Sequence, residues 1–180
     1  MKLFTYILFL FPCLTFAQTD NEKLVDSLKY TTDVPFLDPN HYLKNFGCGD
    51  IFFWKIVKQK KEIVPLLLNK LTDTTKTNIT VPIIGRKYTV ADIAYAAIRE
   101  IIAGMPTFDQ LLSLDLDCDG GRSHYWELTK YFVHRESFQN ELENWYNKNE
   151  IDFIWVSTNE FLTCDCDGKH PSGGHYELKK

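Results

Sequence analysis

The sequence predicts a mostly α-helical fold of stacked helix pairs with a small β-hairpin at the C-terminus, α+β being the alternative class. Three observations carry this. Apolar residues recur at the helical period through the middle of the chain, most regularly from Val90 to Ile102. Helix-start signals punctuate that region, namely Thr19 with Glu22, Asp50, Thr89 with Asp92, and Thr107 with Gln110. Residues 151–180 then switch to short extended runs separated by Asp, Gly and Pro.

The chain opens with Lys2, an apolar run from Leu3 to Pro12, and Leu14-Thr15-Phe16-Ala17 ending in a small residue. This is the pattern of a secretory signal peptide cleaved after Ala17. The run is too short to span a hydrocarbon core, which takes about 20 residues. Cys13 raises a lipid anchor as an alternative, but Pro12 stands where a small residue is expected. The expected organisation is a signal peptide at 1–17, an N-terminal helix and extended connector at 18–46, a helical body at 47–150, and a β-rich tail at 151–180 packed on that body.

Thr19 to Lys29 reads as a short helix with Leu24, Val25 and Leu28 on one face, and Thr31 to Asn45, with Pro35 and Pro39, as a connector. Asp50 is placed to cap a buried helix from Ile51 to Val57, whose residues are apolar nearly all round. A second helix, Glu62 to Leu71, carries Pro65 in its first turn and Ile63, Leu66, Leu67 and Leu71 on its inner face, making a helical hairpin. Short strands are expected at Ile79–Val81 and Ile83–Ile84. The strongest helix follows from Val90, stopped by Gly104 and Pro106, and a short one runs from Thr107 to Leu112. Tyr125 to Tyr146 reads as helical, with Leu128, Tyr131 and Phe132 and then Phe138, Leu142, Trp145 and Tyr146 turned inward, and with a bend at His134-Arg135-Glu136. Phe153–Val156 and His175–Leu178 read as strands.

Composition bounds the function. Hydrophobic content of 44% and aromatic content of 14% suffice for a packed core, which argues against disorder. Twenty basic residues against 24 acidic ones, scattered rather than striped, argue against nucleic acid as a partner. Removal of the leader leaves four cysteines, Cys48, Cys118, Cys164 and Cys166, an even set in an oxidising compartment. Cys164 and Cys166 are too close in sequence to bond each other without strain, so pairing with Cys48 and Cys118 is expected.

The segment Tyr88 to Gly104, T-V-A-D-I-A-Y-A-A-I-R-E-I-I-A-G after the tyrosine, resembles the long-helix half of divergent bacterial HEAT-like repeats. Arg135, Phe138, Leu142, Trp145 and Tyr146, over residues 135–146, are similar to the Arg and Trp-rich helix end found downstream in such proteins. The resemblance covers about half the chain after the leader. It implies amphipathic helix pairs that bury their faces only by stacking, a binding module, and no catalytic residues. The chain departs from a solenoid in having no regular repeat period and a β tail.

Asp115, Asp117, Asp119 and Gly120 spell the opening of a calcium loop, in which alternate carboxylates surround a hard cation. The twelfth position, where a bidentate glutamate belongs, is Trp126, and Glu127 comes one residue late. The loop is therefore a near miss for an EF-hand, and no cofactor is expected, calcium at a looser site being the alternative. The Asp-Cys-Asp-Gly sequence recurs at 165–168, and each copy is followed by His-Tyr and Glu-Leu. Cys164, Cys166, His170 and His175 are a weaker zinc candidate, since structural zinc favours two residues between paired cysteines. No G-x-S-x-G, H-E-x-x-H or P-loop is present. The expectation is an exported, periplasmic or secreted, non-catalytic domain that binds another protein, with no membrane span. A secreted calcium- or zinc-binding protein is the alternative, and a small hydrolase comes third.

Overall fold

The structure is a computed structural model, and it describes residues 19–35, 47–81, 85–112, 125, 129–162 and 166–179. Within them the fold is mostly α, with two small antiparallel strand pairs.

Helix α1 (Asp20–Asp26) starts at the expected capping box: Thr19 accepts from the Glu22 amide and Glu22 returns to the Thr19 amide. It tightens into a 3-10 turn at Ser27–Tyr30. Helix α2 (Ile51–Val57) is capped by Asp50, whose carboxylate accepts from the Phe53 amide at 2.9 Å. The other oxygen of Asp50 takes both the amide and the hydroxyl of Thr32, fastening the α1 segment to the start of α2. Contrary to the expectation, α2 is not buried all round. Phe53, Trp54, Ile56 and Val57 face the core, while Ile51 is 79% exposed and Phe52 is exposed beside it. A seven-residue helix docked on one side leaves the opposite side, Ile51, Phe52 and Lys55, outward whatever its polarity.

The second helix of the hairpin is shorter than predicted. A 3-10 turn at Lys60–Ile63 leads into α3 (Val64–Leu68), with Pro65 in the first turn, where its missing N–H is harmless. Strand β1 (Lys76–Thr80) pairs with β2 (Lys87–Thr89), which runs directly into helix α4 (Val90–Ile101). The second strand thus lies beyond Ile83–Ile84, which are outside the described residues.

Helix α4 is the axis of the fold. It packs on α2 and α3, and ten of its twelve residues are buried. Ile102 is extended and bridges to Tyr176, and the amide of Ala103, at the turn that follows, donates to the Tyr176 carbonyl at 2.8 Å. Helix α5 (Phe108–Leu112) follows, opened by Thr107 and Gln110 as predicted.

The long helix differs from its prediction at its start. Tyr125 is helical, but Thr129 and Lys130 form a turn, and helix α6 runs Phe132–Asn149. The interruption falls before His134-Arg135-Glu136, which lie inside α6. Phe138, Leu142 and Tyr146 are buried as expected, whereas Tyr131, Phe132 and Val133 are each more than half exposed. Tyr131 is the extended N-cap residue outside the helix, and Phe132, the first helical residue, falls to the side of the face that buries Arg135, Phe138 and Leu142. Strands β3 (Phe153–Ser157) and β4 (Gly174–Leu178) form the C-terminal antiparallel hairpin, in register from Phe153 opposite Leu178 to Ser157 opposite Gly174. No described helix is long and apolar enough to cross a membrane.

Candidate functional site

The buried ionisable groups gather at two places along α4. At its N-terminal end Asp92 occupies the third helical position, where its Oδ2 accepts from the Thr89 amide at 2.8 Å. Its Oδ1 accepts from the Tyr125 hydroxyl at 2.9 Å and from Arg135 Nη2 at 3.1 Å, and Arg86 stands 3.7 Å from the other oxygen. Arg135, 3% exposed, also donates Nε to the Thr129 carbonyl at 2.7 Å. Two guanidinium groups, a phenol and a backbone amide therefore converge on one carboxylate. Burial, and next the Asp92 charge, raise the Tyr125 phenol well above the usual tyrosine range, so it stays a hydrogen donor.

Two turns further along α4, Glu100 is fully buried and meets His170 Nε2 at 3.3 Å, and its Oε2 also accepts from the Leu162 amide. His170 is likewise fully enclosed. The rings of Trp54 and Phe161 stand against the imidazole at centroid distances of 5.1 and 5.0 Å. The Trp54 indole donates to the Cys48 carbonyl at 2.8 Å, and Cys48 is joined to Cys166 by a disulfide across a sequence separation of 118 residues. Gly49 makes this possible: at φ +79° it follows a path open to glycine, and a Cβ there would stand 2.7 Å from the Trp54 indole nitrogen. The disulfide is one of the cross-pairings expected from the sequence. Cys118 and Cys164 lie outside the described residues.

Ser172 completes a serine, histidine and glutamate series, its Oγ lying 2.8 Å from His170 Nδ1. The series resembles a hydrolytic triad only in composition. The same Oγ lies 2.7 Å from the Gly174 carbonyl, an oxygen that can only accept, so the single hydroxyl hydrogen is directed there. A ring acting as general base would have to break that bond, and the imidazole and the carboxylate are both fully enclosed. What the arrangement does chemically is fasten Leu162 and His170 to α4.

Asp115, Asp117 and Asp119 lie outside the described residues. Of the zinc candidates, Cys166 is bonded to Cys48, His170 faces Glu100, and His175 Nε2 lies 3.0 Å from Glu177, so these three do not converge. Among the described residues no group of three or more His, Cys, Asp or Glu is arranged to hold a metal ion. A cleft of about 330 Å³ opens between α1, the chain after α3 and the start of α4; in it Lys70 bridges to Asp26 at 2.8 Å and Asp73 accepts from the Thr75 amide.

Both ionic tethers carried a signal in the sequence. Glu100 falls on the apolar stripe of α4 with Ile93 and Ala97, and Arg135 falls on that of α6 with Phe138 and Leu142. A charge on an inward stripe demands a buried partner, although the periodicity does not say which. Comparison with protein-family models, curated proteins and solved structures gives no match for this chain.

Proposed function

We propose that this chain is an exported, non-catalytic domain that binds another protein, built as a module of stacked helix pairs in the manner of HEAT-like repeats. The observation that carries this reading is the placement of its large exposed apolar side chains. Among the described residues they are Tyr30, then Ile51 and Phe52 at the start of α2, Tyr131 to Val133 at the start of α6, and Ile151 with Ile154 at the start of β3. Grouped apolar exposure is a property of association surfaces. The two buried carboxylates of α4, by contrast, are engaged with Arg135 and with His170. Export is supported by the leader-like N-terminus and by the Cys48–Cys166 bond, which suits an oxidising compartment.

The test is affinity capture from the exported fraction of the source cells, run with the purified disulfide-bonded chain and with Phe52→Ser, Phe132→Ser and Ile151→Ser. A protein retained in stoichiometric amount by the parent chain and lost with one variant is the expected result. The same protein profile from the parent, all three variants and an unrelated disulfide-bonded control would overturn the reading.

A further inference from the structure

The hairpin has one edge in use and one open. In the ladder, the Lys179 amide donates to the Asp152 carbonyl and the Thr158 amide to the Gly173 carbonyl. Antiparallel pairing alternates, so Ile154 and Val156 exchange hydrogen bonds with Glu177 and His175, while the N–H and C=O groups of Phe153, Trp155 and Ser157 point away from β4. The far side of β4 is occupied by Ile102 and Ala103. β4 is thus the central strand and β3 the edge, and among the described residues no strand pairs with its outer side.

Nothing in β3 protects that edge. Phe-Ile-Trp-Val-Ser contains no charge, no proline and no register shift. The strand is also held firmly: Phe153 packs on Trp145 and Tyr146, Trp155 on Tyr176, and Lys60 Nζ stands 3.9 Å over the Trp155 ring. The other face presents Ile154, 47% exposed, with Ile151 at 86% just before the strand. A rigid, uncharged edge with an apolar face matches an extended backbone.

Its flanks choose among extended backbones. Glu150 and Asp152 precede the strand and Glu160 follows it, all exposed. A second copy pairing antiparallel about Trp155 would set Glu150 opposite Glu160 of the other molecule, a like-charge contact at each end. Basic residues at the ends of the incoming strand would relieve both. We propose that β3 takes up, as an added strand, an extended peptide segment of the partner with apolar or β-branched residues at its centre and Lys or Arg at its flanks. This assignment rests on the binding function proposed above.

The test uses the disulfide-bonded full chain, the peptide Lys-Lys-Val-Thr-Val-Thr-Val-Lys-Lys, and the same peptide with glutamate flanks. The lysine peptide should bind at least tenfold more tightly and should slow hydrogen exchange at the Phe153, Trp155 and Ser157 amides. Ser157→Pro, which removes an outward N–H without breaking the ladder to β4, should weaken binding about tenfold. Its native hairpin would be checked by unchanged exchange at the Glu177 and His175 amides. Equal affinity for both peptides, protection elsewhere, or those three amides protected by self-association alone would overturn the assignment. A captured partner that protects a different surface leaves the binding function standing and removes only the edge. Failure of the capture experiment removes the binding function itself.

Discussion

The two carboxylates of α4 are both buried, yet they are held in different ways. Asp92 is over-determined, with a backbone amide, a phenol and two guanidinium groups around it. Glu100 meets His170 and accepts from the Leu162 amide, and the chain around His170 is also secured by a disulfide and an aromatic cluster. The first tether is a network that anchors α6 and the turn before it. The second is one of several fastenings of a strap. Loss of one contact should therefore act differently at the two ends of the helix.

The largest expected effect is at Asp92. Asp92→Ala leaves Arg135 buried without its anion and should lower stability by about 3–5 kcal/mol, measured by urea denaturation. A loss below 1 kcal/mol would break the contrast. Next comes the strap: replacing Cys48 and Cys166 together by serine should cost about 2–5 kcal/mol, since the bond closes a long loop in the unfolded chain. Glu100→Gln should cost less, about 1–3 kcal/mol, because the bridge and the Trp54–Phe161–His170 cluster remain and glutamine can still accept from Leu162. The smallest effect is Tyr125→Phe, about 1 kcal/mol for one hydrogen bond.

The same phenol gives a pH signature. Its folded pKa is raised, so the stability it contributes is fully present below the ordinary tyrosine range and is lost as pH rises toward the folded value. Alkaline denaturation should then become shallower in Tyr125→Phe. An unchanged alkaline limb would show that Tyr125 is not held against Asp92.

The two tethers also differ in how far the sequence revealed them. The Thr89/Asp92 capping box is local, three residues apart, and predicts both the helix start and the placement of Asp92. The Asp92–Arg135 and Glu100–His170 pairings join residues 43 and 70 positions apart, and no local rule specifies them. Helix existence was legible in the same way, through caps and period. The exposure of Ile51, Phe52, Tyr131 and Phe132 was not, because it depends on which side of a short helix docks and on where α6 restarts after Thr129. The C-terminal hairpin was read correctly from its period, but that β3 and not β4 is the edge follows from the contact between β4 and Ala103, which periodicity does not encode.

Native-state hydrogen exchange on Asp92→Asn and Glu100→Gln, side by side with the parent chain, tests the central claim most directly. Asp92→Asn should speed exchange in α6 and leave β4 near its parent rate. Glu100→Gln should speed exchange around Leu162 and in residues 170–174 and leave α6 unchanged. Uniform acceleration across the chain in both variants, or the two patterns exchanged, would contradict the account of α4 as an axis with two separate tethers.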